Sequence, residues 1–246
     1  MTVFDHPSFD AHEHVVFHND AASGLKAIIA IHNTARGPAV GGCRMWSYDN
    51  EVDALTDALR LSRGMSYKSA LAGLPFGGGK SVIIGDPRMD KSEALWRAMG
   101  RFVESLGGRY VIAEDVGTSP ADLEIARRET VHVSGIAEGG SGDPSPATAW
   151  GVYVGIKAAV RSRLGPEDLK ELKVAVQALG HVGYELCQLL ARDGAILSVA
   201  YTNRAQIERA IGEIGATAVD PDKVYDLDTN VFASWALSST MRKYPA

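Results

Sequence analysis

A chain of 246 residues with 46% hydrophobic and 22% charged side chains has the make-up of a globular protein, long enough for one large domain or two modest ones. A net charge of -5 with both signs interspersed offers no basic face for a phosphate backbone, which argues against nucleic acid as a partner. No run of about 18 apolar residues and no basic-then-apolar leader occurs, so a cytoplasmic location without membrane contact is expected.

Two apolar runs rich in branched residues, at 14–17 and 25–31, flank the polar turn Asn19-Asp20-Ala21-Ala22-Ser23-Gly24 and predict paired strands. A helix is expected over 51–62, where Glu51 and Asp53 near the start and Arg60 and Arg63 near the end suit the helix dipole. A second is expected over 90–106, with Asp90 and Glu93 as a capping box, Leu95, Met99, Phe102 and Leu106 as one apolar stripe, and Gly107-Gly108 as its stop. Strands at 82–84 and 109–113 complete an alternation that defines an α/β domain over 1–140.

The densest run of loop formers, Gly139-Gly140-Ser141-Gly142-Asp143-Pro144-Ser145-Pro146, marks the boundary to a second domain over 141–246. A helix through Trp150 to Arg163 follows it. The strand Val174-Ala175-Val176, the turn Gly180-His181-Val182-Gly183, a helix to about Ala191 and a strand at 195–200 then read as the opening of a dinucleotide-binding βαβ unit.

Chemistry concentrates in Leu74-Pro75-Phe76-Gly77-Gly78-Gly79-Lys80-Ser81-Val82-Ile83-Ile84-Gly85-Asp86-Pro87. Three consecutive glycines either form a loop with a solvated lysine or allow a close backbone approach. A lysine held against such backbone is partly desolvated, which lowers its pKa toward that of a usable base. A phosphate-binding P-loop is excluded, because its first glycine would have to stand at Leu74, one residue after Gly73. Cys43 and Cys187 have neither a disulfide nor a zinc spacing and read as buried thiols, and no metal site is expected.

The 74–87 segment resembles the signature of the Glu/Leu/Phe/Val amino-acid dehydrogenase family throughout its length. Gly41-Gly42-Cys43-Arg44, Met65-Ser66-Tyr67-Lys68, Glu114-Asp115-Val116-Gly117-Thr118 and Gly142-Asp143-Pro144-Ser145-Pro146 resemble further family segments in the family order. The resemblance implies that Lys80 activates the water that attacks an iminium intermediate and that Asp115 exchanges protons with the substrate amino group. Lys68 would pair with the substrate α-carboxylate, with Gly41 and Gly42 giving close backbone approach and Met65, Val40 and Ala113 placed around the substrate. Without the resemblance, Lys68 reads as an ordinary surface lysine and Asp115 as a turn or cap residue. Ala113-Glu114-Asp115 is closer to the leucine and valine enzymes than to the phenylalanine enzymes, which implies a branched-chain substrate.

The same resemblance implies NAD, with NADP as the alternative, and places cofactor contacts on Gly180, His181, Val182, Gly183, Tyr201, Asn203 and Thr148. Ala178 stands where the first glycine of the turn belongs, and Tyr201 stands where an acidic residue usually meets the adenosine ribose. Arg204 lies close by. Asn230-Val231-Phe232-Ala233-Ser234-Trp235-Ala236-Leu237 resembles a family segment with substitutions, after which the resemblance ends. The expectation is therefore a C-terminally truncated member: an α/β catalytic domain followed by an incomplete Rossmann-type domain, prone to self-association and expected as a homo-oligomer. The competing expectation is a non-catalytic homologue that binds amino acid or joins an oligomer.

Overall fold

The computed structural model describes residues 2–136, 144–165 and 168–234. The chain divides into two compact units, Met1–Asp143 and Pro144–Ala246. The first opens with the hairpin β1 (His14–Asp20) and β2 (Leu25–Asn33), paired antiparallel from His14 opposite Ile31 to Asp20 opposite Leu25. There follow β3 (Ala39–Trp46), α1 (Glu51–Leu71), β4 (Gly77–Ile84), α2 (Glu93–Glu104), β5 (Tyr110–Glu114) and α3 (Pro120–Ala126). The sheet order is β1-β2-β4-β3-β5, with β3 parallel to both β4 and β5 and β2 antiparallel to β4.

Three local expectations need correction. The helix expected over 51–62 runs on to Leu71, so Met65 and Lys68 are helical. Its periodicity is weak because most of its buried residues are small: Ala54, Ala58, Ser62 and Ser69 join Leu59. The α2 cap is Ser92, whose hydroxyl accepts from Leu95 N, whereas the Asp90 carboxylate accepts from Asp86 N at 2.7 Å and caps the preceding turn. Finally, Gly77-Gly78-Gly79 is not a loop; it lies inside β4, fully buried.

Strand parity explains why glycine is needed there. A Cβ on Gly78 would lie 2.2 Å from Ser66 N and 2.4 Å from the Ser62 carbonyl, so glycine lets the α1 backbone rest directly on the sheet. A Cβ on Gly79, on the opposite face, would meet the Tyr110 ring at 2.6 Å. That opposite face carries the main core, where Trp96, Met99, Phe102 and Val103 of α2 pack against Ile29, Ile31, Met45, Ile83 and Ile112. Burial of each large side chain contributes about 1.5–3 kcal/mol.

The second unit contains α4 (Ser145–Leu164), β6 (Lys173–Gln177), α5 (His181–Arg192), β7 (Ile196–Ala200), α6 (Arg204–Ile214), β8 (Thr217–Ala218), a short 3-10 turn at Val224–Asp226, and β9 (Val231–Ser234). All its strands are parallel, in the order β8-β7-β6-β9, which matches the 3-2-1-4 order of a dinucleotide-binding sheet. The segment around Asn230 thus supplies a strand beside β6, while Trp235, Ala236 and Leu237 lie outside the described residues, as do 139–143 of the loop-forming run. Among the described residues no helix is long and apolar enough to cross a membrane.

Candidate active site

Lys80 sits in the middle of β4, opposite Ala30 of β2, with only 4% of its surface exposed. Residues 78, 80 and 82 share the face covered by α1, so the lysine side chain enters the layer between helix and sheet. Its Nζ lies 2.8 Å from Asp115 Oδ2. Asp115 directly follows β5, and the turn after it is held by Thr118, whose hydroxyl accepts from Asp115 N at 2.9 Å and also bonds the Cys43 carbonyl at 3.0 Å.

Burial pushes the Lys80 pKa below its ordinary value, and the attraction of Asp115 does not fully restore it. For Asp115, burial opposes ionisation, but the adjacent Lys80 and Arg44 outweigh that and hold its pKa below the usual carboxylate value. The pair therefore combines an ionised carboxylate with an amine that loses its proton more easily than a solvated lysine. The Cys43 thiol on the neighbouring strand is pushed up to about 12 by complete burial and is inert at neutral pH.

A second cation completes the cluster. Arg44 Nε donates to Asp115 Oδ2 at 3.0 Å, and its Nη1 donates to Asp57 Oδ2 at 2.8 Å. The Tyr48 hydroxyl donates to the same Asp57 oxygen at 2.9 Å. Arg44, Asp57, Tyr48 and Thr118 had no assigned role from sequence. Arg44 was accessible to parity reasoning, since it stands two residues after Gly42 on one strand face; Asp57 depends on how α1 docks and leaves no such trace.

Gly42 belongs to this cluster, because a Cβ there would lie 2.7 Å from the Asp115 Cβ and 3.2 Å from Lys80 Nζ. At Gly41 a Cβ would collide with the Gly79 carbonyl at 1.7 Å, so glycine is demanded by the adjoining strand itself. Beneath it the buried Tyr110 hydroxyl hydrogen-bonds the Gly41 carbonyl at 2.7 Å and Ser81 Oγ at 2.9 Å. Val40, Ala113 and Met65 are half-buried, and Lys68 is exposed on the last turn of α1. Ser66, between Met65 and Lys68, rests over Gly78, two residues from Lys80 on the same face.

In the second unit, Gly180 caps the 12-residue α5 with extended backbone and open space where a Cβ would stand. His181 and Val182 form the first turn behind it, and Gly183 is buried. Ala178 takes a left-handed conformation, φ +73°, with its N–H donating to the Ala200 carbonyl at 2.8 Å, so the turn is formed although alanine occupies a position suited to glycine. Tyr201 is half-buried just past β7; Asn203 caps α6, its side chain accepting from Ala205 N at 3.1 Å. Thr148 is exposed in the first turn of α4.

A parallel sheet in the strand order of dinucleotide-binding domains is joined in one chain to a unit that buries a lysine–carboxylate pair beneath a helix. Residues 10–132 match the family model described as Glu/Leu/Phe/Val dehydrogenase, dimerisation domain. The leucine dehydrogenase of Geobacillus stearothermophilus is 54% identical over 239 residues, covering 96% of this chain and 65% of the relative. That of Thermoactinomyces intermedius is 53% identical over 241 residues, covering 97% and 66%. The crystal structure of L-tryptophan dehydrogenase from Nostoc punctiforme superposes with a TM-score of 0.69 at 46% identity, over 92% of this chain and 64% of that one. The chain belongs to the Glu/Leu/Phe/Val dehydrogenase family, and it spans about two thirds of the length of the curated relatives it matches.

Proposed function

We propose that the protein catalyses the reversible NAD(P)-dependent oxidative deamination of a branched-chain L-amino acid, leucine or valine, to its 2-oxo acid and ammonia. The observation that carries this reading is the buried contact of 2.8 Å between Lys80 Nζ and Asp115 Oδ2. Lys68 pairs with the substrate α-carboxylate, and Val40, Met65 and Ala113 supply apolar surface for the side chain. Asp115 exchanges a proton with the substrate amino group. Once the substrate has lost two electrons to become an iminium, neutral Lys80 takes a proton from the water that adds to its carbon, and loss of ammonia leaves the oxo acid. A nicotinamide, when bound, supplies the two-electron acceptor.

The residues of the second unit fit such a cofactor at its pyrophosphate. Gly180, His181, Val182 and Gly183 open a helix whose N-terminus favours an anion, and Gly180 leaves room for it. Tyr201 and Asn203 stand at the end of β7, where the adenosine ribose would lie, and Thr148 is a further candidate contact. Tyr201 brings no carboxylate to repel a 2′-phosphate, so NAD and NADP are to be compared. One methylene in an apolar pocket changes discrimination by about 1–3 kcal/mol, so leucine and valine must both be tried. Tryptophan joins them because of the relative named for it. We take the working form to be a cytoplasmic homo-oligomer assembled through the first unit, in keeping with the matched dimerisation domain.

The test follows nicotinamide absorbance with each amino acid and either cofactor, beside Lys80→Ala and Asp115→Ala. Turnover that either change reduces to a small residual is expected. Absence of turnover, with thermal stabilisation by the amino acid and by neither cofactor, would replace this reading with that of a non-catalytic homologue, which Tyr201 and Ala178 favour.

A further inference from the structure

We propose that Arg44 is a positioning residue: bridging Asp57 and Asp115, it fixes the carboxylate against Lys80 and draws off part of its charge, leaving the lysine less compensated than in an isolated pair. This rests on the reading of Lys80 as the base. The geometry is a chain of contacts linking two strands, the turn after β5 and one helix. Asp57 of α1 holds Arg44 of β3 at 2.8 Å, Arg44 holds Asp115 beyond β5 at 3.0 Å, and Asp115 meets Lys80 of β4 at 2.8 Å. Both cations use the same oxygen, Asp115 Oδ2. The Arg44 side chain is only 14% exposed, so solvent screens these contacts weakly.

An arginine suits this place because its planar fork can hold two carboxylates in fixed directions, whereas an ammonium is a compact point charge. Tyr48 adds a hydrogen bond to Asp57, anchoring the far end of the chain to the segment just before α1. The charged and titratable groups that act most strongly on Lys80 are Asp115, Arg44 and Cys43, and Asp57 acts on it through Arg44. Arg44 resists protonation of Lys80 in two ways: by direct repulsion and by sharing the one anion that would favour it. Neither effect requires Arg44 to touch substrate.

The experiment is NMR titration of Lys80, observed at Cε in protein labelled with 13C-lysine and assigned with Lys80→Arg, in wild type, Arg44→Met, Arg44→Lys and Asp57→Asn. Removing the cation in Arg44→Met returns Asp115 wholly to Lys80, and the lysine titration shifts upward; Arg44→Lys brings it back toward wild type. In Asp57→Asn, Arg44 loses its other anion and leans more heavily on Asp115, so the Lys80 titration shifts downward. Opposed shifts cannot come from loosening of the fold, which would move both variants toward the ordinary lysine value. Should Arg44→Met not fold, the sign of the Asp57→Asn shift decides. An unmoved Lys80 in folded Arg44→Met, or an unmoved or upward-shifted Lys80 in Asp57→Asn, overturns the proposal. The titration needs no turnover, so its failure is separate from failure of the dehydrogenase reading. Where turnover is present, Arg44→Met lowers kcat by about 100-fold, as expected for misplacement near a reacting group, with a smaller change in KM.

Discussion

Gly42 and Asp115 stand so close that a Cβ on residue 42 would lie 2.7 Å from the Asp115 Cβ, and the same atom would be 2.7 Å from the Glu114 carbonyl. Glycine here does not serve a turn; it leaves the space that the lysine–carboxylate pair occupies. Gly42→Ala is therefore expected to fold with a loss of about 1–3 kcal/mol from overpacking. Its turnover should fall by about 100-fold as Asp115 is displaced. Urea unfolding and steady-state kinetics on the same preparation measure both.

Gly78→Ala acts on the other neighbour of the pair. The added methyl would meet the backbone of α1 at Ser66 and Ser62, which cannot rotate away as a side chain can. The helix must lift, carrying Met65 and Lys68 with it. A loss of stability of at least about 1–3 kcal/mol is expected, together with a raised KM for the amino acid. Unchanged unfolding would mean that α1 does not rest on β4.

These glycines show what was legible in the sequence. The long motif around Lys80 and the separate segment Glu114 to Thr118 pointed to Lys80 and Asp115 through the family resemblance, and the α2 stripe and the βαβ turn were readable from periodicity and spacing. Glycine's low strand propensity, however, gave no sign that Gly77, Gly78 and Gly79 lie inside β4, because packing by α1 and Tyr110 overrides local preference there. The end of α1 was hidden for a related reason: its contact face is made of alanine and serine. The place of Arg44 beside Gly42 becomes readable by strand parity only with β3, which the sequence did not announce, and its tie to Asp57 emerges only when α1 is docked on the sheet.

Ala178→Gly should stabilise the second unit. Alanine at φ +73° carries a left-handed cost of about 1–2 kcal/mol, part of which is offset by the greater freedom of glycine in the unfolded chain. A net gain of roughly 0.5–1 kcal/mol is expected in denaturant unfolding of this unit. A loss of stability would show that the methyl group makes contacts that outweigh the strain.

Acid sensitivity should arise at two histidines near the start of the chain. His12 is buried against α1, its Nε2 3.0 Å from the Leu59 carbonyl and 3.1 Å from Ser62 Oγ, and its ring lies 4.9 Å from that of His32. Burial is the main cause lowering both pKa values from the ordinary 6.5. The folded state then binds fewer protons than the unfolded state, so stability rises with pH. The contribution is intact above about 6.5 and is lost as pH falls below that value toward the folded-state pKa values. Unfolding free energy between pH 7 and pH 5 should decline less steeply in His12→Gln than in wild type; equal slopes would assign the acid loss to other groups.

The central claim is that Lys80 acts as a base because burial depresses its pKa. The direct measurement is the pH dependence of kcat/KM for amino-acid oxidation by wild type and by Lys80→Ala. Activity should rise with pH through a limb below the ordinary lysine value of 10.5, and that limb should be missing from the residual activity of Lys80→Ala. A limb at the same pH in both proteins, or undiminished turnover in Lys80→Ala, would contradict it.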